Sequence, residues 1–196
     1  MCKSDRIIAA DISIVISRPM CGREITEKRF DGHENSYRLL YKRGEKLFAL
    51  NNGDIIPQIG IGPLKLGASE NELLKISSKC PFQRTLAYSS IIYTGSDVMV
   101  WIERSSMEIS QILVFGTFSG KLMGKYGIGT YFSEMEYALG EQVELTYEIS
   151  MEYRFPSLPG VSFELADIDV PDQVLLQKPY KTLAPIGTIS VFRDCL

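Results

Sequence analysis

A seven-residue pattern occurs twice in this chain. Ile109-Ser110-Gln111-Ile112-Leu113-Val114-Phe115 and Ile186-Gly187-Thr188-Ile189-Ser190-Val191-Phe192 both read Ile-x-x-Ile-x-Val-Phe. Branched and aromatic residues at such density favour strands. A matching pair of strands at a separation of 77 positions (186 minus 109) points to an internal repeat. Two Ser-x-x-Glu segments support it. Ser69-Glu70-Asn71-Glu72 opens the run Leu73-Leu74-Lys75-Ile76, and Ser133-Glu134-Met135-Glu136 opens Tyr137-Ala138-Leu139 before Gly140. Both read as capping boxes, in which the serine hydroxyl accepts an amide of the first turn and the glutamate reaches back. Each follows a glycine-rich turn, Gly60-Ile61-Gly62 and Gly127-Ile128-Gly129. The boxes lie 64 positions apart (133 minus 69), so the second unit is 13 residues longer, and the excess is assigned to Asp167–Lys181.

Strand signals fill most of the remainder. They cover Ile7–Ser17, Ser36–Leu50 with a turn at Arg43-Gly44-Glu45, Phe82–Tyr93, Asp97–Glu103, Ile109–Phe118, Val143–Phe155, Val161–Ala166 and Ile186–Phe192. Asn51-Asn52-Gly53-Asp54 reads as a loop. Val98–Ile102 is apolar throughout, as suits a strand covered on both faces. The expected fold is α+β: mostly antiparallel sheet with two short helices in two repeated units. The boundaries are an N-terminal β segment at 1–54, a first helix-plus-sheet unit at 55–123 and a second, acidic one at 124–196, all in one compact chain.

The length of 196 residues suffices for a real core, and 45% hydrophobic residues exclude a disordered polyampholyte. No run approaches the roughly 20 apolar residues of a membrane helix. The stretch Ile7–Ile16, broken by Asp11 and Ser13 and without a small-residue cleavage site, does not read as a signal peptide, so a cytoplasmic protein is expected. Cys2, Cys21, Cys80 and Cys195 are far apart, and His33 is the only histidine, so neither structural zinc nor any other cofactor is expected. The cysteines read as free thiols.

The inventory gives little support to an enzyme. Any Ser-His-Asp or Cys-His arrangement must use His33, which sits in the polar loop Phe30–Asn35. There is no Gly-x-Ser-x-Gly elbow and no phosphate-binding Gly-Lys-Ser sequence. Asp167, Asp169 and Asp172 have the alternating oxygens that suit a hard cation, but not the glycine and distal glutamate of a calcium loop. A small metal-dependent hydrolase or nuclease working through Asp167 and Asp169 is the alternative reading.

Charge is distributed unevenly. From 133 to 172 the chain carries Glu134, Glu136, Glu141, Glu144, Glu148, Glu152, Glu164, Asp167, Asp169 and Asp172 against Arg154 alone, a balance of minus nine. Residues 1 to 132 carry 17 bases and 13 acids, a balance of plus four. A negative surface of this kind steers toward a positive partner and raises association rates. If Val143–Tyr153 is one strand, Glu144, Glu148 and Glu152 share a face opposite Leu145, Tyr147 and Ile149. Such a row of carboxylates imitates the phosphates that a basic nuclease binds. The basic cluster Arg23, Lys28, Arg29, Arg38, Lys42, Arg43 and Lys46, with Tyr37 and Tyr41, is interleaved with Glu24, Glu27, Asp31, Glu34 and Glu45, so it reads as surface pairing rather than a nucleic-acid site. Tyr126, Tyr131, Phe132 and Tyr137 flank the second helix and read mostly as core, with tyrosine also a favoured interface anchor.

The glycine-rich turn, short helix and antiparallel meander, given twice over about residues 55 to 192, resemble the repeated units of beta-lactamase inhibitor proteins and related outer-membrane assembly lipoproteins. The whole is similar to bacterial immunity proteins of the contact-dependent inhibition type. The lipoprotein branch is disfavoured because no signal peptide precedes Cys2. The resemblance implies a binding module whose partner sits on the exposed sheet face or the loops, with no catalytic residues to carry over. The expected function is therefore neutralisation of a co-encoded, basic, nuclease-like protein toxin by an immunity protein that is monomeric when free and engages neither nucleic acid nor membrane. The expected contacts are Glu144, Glu148, Glu152, Asp167, Asp169 and Asp172, with Tyr131 and Tyr147 as anchors.

Overall fold

The computed structural model describes residues 46–140, 143–146, 151–168 and 180–193, with backbone alone at 143–146. All of these lie in one compact unit, Leu39–Leu196. The strand expected at 7–17, the part of Ser36–Leu50 up to Glu45, His33, the cysteines Cys2, Cys21 and Cys195, and the basic cluster up to Arg43 fall outside the described residues, and the remainder of Ser36–Leu50, residues 46–50, is not a strand. Cys80 is a half-buried free thiol.

The described residues form an α+β structure. Three two-residue strands, β1 (Ile55–Ile56), β2 (Gly60–Ile61) and β3 (Leu64–Lys65), make a small antiparallel sheet and lead into helix α1 (Glu70–Ile76). A meander follows: β4 (Gln83–Leu86), β5 (Ser90–Thr94), β6 (Val98–Glu103) and β7 (Glu108–Phe115). Then come α2 (Phe132–Leu139), β8 (Val143–Thr146), β9 (Met151–Arg154), β10 (Val161–Leu165), the short helix α3 (Tyr180–Leu183) and β11 (Ile186–Phe192). Eight strands join in one antiparallel sheet, ordered β4-β5-β6-β7-β11-β10-β9-β8. The stretches read as single strands at Phe82–Tyr93 and Val143–Phe155 are each divided into two paired strands. In the first, Ala87 donates to the Ser90 carbonyl at 2.9 Å and closes the hairpin.

The repeat is a pseudo-two-fold. The matched strands β7 and β11 pair antiparallel at the middle of the large sheet, with Ile112 opposite Val191 and Val114 opposite Ile189. An offset of 77 turns the first pair into the second and leaves Leu113–Ser190 unchanged, so the axis passes there. The neighbouring strands obey the same symmetry. Val98, Val100 and Ile102 of β6 meet Val114, Ile112 and Ile109, as Val161, Phe163 and Leu165 of β10 meet Val191, Ile189 and Ile186. Even the register irregularities correspond, at Trp101/Ile102 and Glu164/Leu165. The extra length of the second unit lies between β10 and β11, where Ala166–Pro185 replaces the short Arg104–Met107 turn.

The helix starts correspond at an offset of 62, not 64. Gly67 donates to the Ile109 carbonyl and Ile109 to Ala68, each at 2.8 Å; Gly129 donates to Ile186 and Ile186 to Thr130, also at 2.8 Å. Isolated bridges join Ser69 to Glu108 and Tyr131 to Pro185. Gly67 and Gly129 both hold left-handed backbone (φ +79 and +83), which glycine adopts without strain. Ser69 caps α1 with the full capping box: Glu72 N–H donates to the Ser69 hydroxyl at 3.4 Å, and Ser69 N–H donates to the Glu72 carboxylate at 2.8 Å. The second capping box is absent. The N-cap of α2 is Tyr131, without a side-chain cap, because the backbone pairing of 129–132 with 184–186 fixes where the helix begins.

The helices pack on one face of the large sheet. Leu73 of α1 and Phe132 and Met135 of α2 join Tyr93, Val98, Val100, Ile112, Val114, Phe163, Ile189 and Val191 in the core. Ile55, Ile61 and Leu64 of the small sheet belong to it too. Segment 48–51 is laced to the β5–β6 turn. Fully buried Asp97 accepts the amides of Leu50 and Asn51 at 2.8 Å each, so its burial is matched by charge-assisted bonds. Among the described residues no helix is long and apolar enough to cross a membrane.

Candidate functional site

The face of the large sheet opposite the core is read from the register. The row Tyr153–Phe163–Ile189–Val114 belongs to the core, so the adjacent row, Glu152–Glu164–Thr188–Phe115, points the other way. The next row is Ser162–Ser190–Leu113–Met99, and the one beyond runs Phe192–Gln111–Trp101–Ile92. The two halves of this face differ in character. Ile92, Met99, Trp101 and Leu113 of the first unit correspond to Glu152, Ser162, Glu164 and Ser190 of the second. A depression of about 50 Å³ lies among Gln111, Leu113, Glu152, Ser162, Glu164, Thr188 and Ser190. The Gln111 amide donates to the Ser190 hydroxyl at 2.6 Å, and the Thr188 hydroxyl donates to Glu164 at 3.2 Å. Arg154 pairs with Glu152 at 2.9 Å, and its guanidinium lies 4.4 Å from the Phe192 ring centre. Cross-strand carboxylates repel, and Arg154 relieves that repulsion on the Glu152 side.

A second acidic surface lies on the helix side of the sheet, around Pro185. Pro185 is bridged to Tyr131 at the start of α2, and its carbonyl accepts the Ala166 amide at 2.8 Å. The Tyr180 hydroxyl of α3 donates to the Ala166 carbonyl and accepts the Ile168 amide, each at 2.8 Å. This brackets Asp167, which is exposed. Lys181 of α3 pairs with Glu136 of α2 at 3.2 Å. The outer side of α2 presents Tyr131 at 53% exposure, Glu134 and Tyr137 at 96%. Glu134 makes no ion pair among the described residues.

The expected contact residues therefore do not share one surface. Tyr131 and Asp167 come together at Pro185, whereas Glu152 lies on the opposite face of the sheet. The expected row of glutamates on a single strand is not formed. Glu144 is on β8 in register with Tyr153, and Glu152 is on β9 in register with Leu145, so the two occupy positions of opposite parity on different strands. Tyr147, Glu148, Asp169 and Asp172 lie outside the described residues. Among the described residues no group of three or more His, Cys, Asp or Glu converges as for a metal. Of the aromatic residues around α2, Tyr126 and Phe132 are core as expected, while Tyr137 is outside it. The sequence carried no signal for this: its offset of 64 sets Tyr137 at buried Leu73, and only the structural offset of 62 sets it at Lys75, an exposed helix position.

The first unit carries a polar knot in place of this surface. Tyr93 donates its hydroxyl to Glu70, Arg84 donates to the Tyr93 oxygen at 3.0 Å, and Arg84 lies 3.4 Å from Glu70. Burial, then the bond to Glu70, pushes the Tyr93 phenol above its ordinary value, with Arg84 opposing. The Ser69 backbone and hydroxyl bonds hold the Glu72 carboxyl below its ordinary value.

No protein-family description matches this sequence, and none of the curated proteins matches it. Solved structures to which the chain is similar include the following three. The uncharacterized protein YfeY from Escherichia coli is 14% identical over 76% of this chain and 99% of its own, with a TM-score of 0.44. A cysteine-rich secretory protein from Staphylococcus aureus is 9% identical over 75% of this chain and 51% of its own, with a TM-score of 0.41. An extracellular protein containing an SCP domain from Bacillus anthracis is 13% identical over 87% of this chain and 50% of its own, with a TM-score of 0.38.

Proposed function

We propose that the chain is a protein-binding inhibitor of the immunity type, which neutralises a basic, nuclease-like toxin encoded beside it. The observation that carries this reading is the uneven charge along the chain, minus nine over 133–172 against plus four over 1–132. Exposed Glu134 and Asp167 lie on the helix side of the second unit, and Glu152 on the other side of its sheet. A field of one sign on one lobe accelerates encounter with a positive partner without requiring a deep pocket. In this reading the protein acts in the cytoplasm, is monomeric when free and binds neither nucleic acid nor membrane.

The test is co-expression. The product of the adjacent gene is expected to arrest growth when made alone, to be tolerated with this chain, and to form a one-to-one complex by analytical ultracentrifugation. Association is expected to slow as salt rises, and Glu148→Lys with Asp169→Lys should slow it further and flatten that dependence. A neighbouring product that is harmless, or that forms no complex, would overturn the reading.

A further inference from the structure

We propose that the outward face of α2, carried by Tyr131, Glu134 and Tyr137, is the surface on which arginine and lysine side chains of a protein partner dock. The proposal rests on the protein-binding reading above for what the partner is. Its own argument comes from the internal symmetry.

The offset of 62 sets Tyr131, Glu134 and Tyr137 at the positions of Ser69, Glu72 and Lys75. In α1 these three are used locally. Ser69 caps the helix, Glu72 closes the capping box, and Lys75 stands in the last turn, where a cation suits the helix dipole. In α2 the same frame carries a tyrosine that cannot cap, a glutamate with no cap to close and a second tyrosine where the cation stood. The N-cap position strongly favours a small side-chain acceptor, so Tyr131 gives up helix stability. Its ring recovers little of that through burial, since it is 53% exposed, and Tyr137 is 96% exposed. A local rule broken without compensating packing is characteristic of functional positions.

The chemistry of the face defines its occupant. Residues three apart on a helix are neighbours, so the line Tyr131–Glu134–Tyr137 sets a carboxylate between two aromatic rings. Ring faces attract ammonium and guanidinium groups, and Glu134 is available to neutralise them. Tyrosine adds contact area at low entropic cost, as interface anchors do. Exposed Asp167, held beside Pro185 near the start of α2, adds to the negative charge that complements a cationic surface and repels an acidic one.

A titration of the ¹⁵N-labelled full chain with a deca-arginine peptide at low salt tests this. Shifts are expected at 131–138 and around Asp167. Tyr137→Ala, which keeps every charge, should weaken the peptide about 2- to 5-fold, as should Glu134→Gln. Tyr131→Ser should weaken it too, while raising Tm by about 2–4 °C through the restored cap. Shifts confined to other surfaces, an affinity unmoved by Tyr137→Ala, or a Tm lowered by Tyr131→Ser would each overturn the proposal. The two readings fail separately. A toxin complex indifferent to Tyr137→Ala would remove the docking face alone, and the absence of any toxic neighbour, with peptide shifts intact on α2, would remove the inhibitor reading alone.

Discussion

The two units share a backbone and the apolar rows of their central strands, and differ where helix meets sheet. Where the first unit ties helix to sheet through Glu70, Tyr93 and Arg84, the second uses rings: Phe132 stands at the position of Glu70 and lies 4.7 Å from Tyr153 and 5.5 Å from Phe155. On the other side of the sheet the exchange runs in reverse, with Ile92, Met99 and Trp101 in the first unit and Glu152, Ser162 and Glu164 in the second. Backbone pairing thus constrains a repeat more tightly than side-chain chemistry does. The hydrogen-bonded frame at 67–69 and 129–131 survives nearly complete replacement of the residues around it.

The largest test of this contrast is in the core. Phe132→Ala should lose about 3–5 kcal/mol, because a fully buried ring leaves a cavity among Tyr153, Phe155 and their neighbours. Glu70→Ala, at the equivalent position, should lose only about 1–2 kcal/mol, the scale of a hydrogen-bonded partner withdrawn. Equal losses in urea denaturation would mean that the two junctions are built alike after all.

The caps provide an intermediate effect. Ser69→Ala should lose about 1 kcal/mol. Ser133→Ala should change stability by less than about 0.5 kcal/mol, because Ser133 follows the true N-cap instead of forming it. The Ser69 bond also has a pH signature. The folded Glu72 carboxyl titrates below its ordinary value of 4.5, so its contribution is present above that pH and is lost as pH falls through the folded value. Acid titration of Ser69→Ala should show this sensitivity reduced, and an unchanged acid limb would detach Glu72 from the cap.

The smallest effect is alkaline. Tyr93 keeps its proton to higher pH in the folded protein than in the unfolded chain, whose value is near 10.0. Its contribution is intact below pH 10 and declines as pH climbs toward the folded value. Tyr93→Phe should flatten stability above pH 10 relative to the native chain.

Much of the fold was legible in the sequence, because much of it is local. Ser69 and Glu72 form their box within one turn, and the Ile-x-x-Ile-x-Val-Phe strands are β7 and β11 almost residue for residue. The charge asymmetry of the second unit is likewise a property of composition. The candidate site was less legible, because parity along a strand holds only until the chain turns. Val143–Phe155 forms two strands, so Glu144 and Glu152 do not share the face that an unbroken strand would give them.

The sequence by itself determined an α+β repeat, the first helix cap and the acidic lobe, since each follows from residues adjacent in the chain. Only the tertiary structure decided that β7 and β11 meet about an axis at Leu113 and Ser190, that α2 begins at Phe132, and that Tyr131 and Tyr137 stand outside the core. The reason is energetic competition between near and far. A Ser-x-x-Glu box stabilises a helix start by about 1 kcal/mol, whereas the pairing of 129–132 with 184–186 is anchored to the central strand of the sheet.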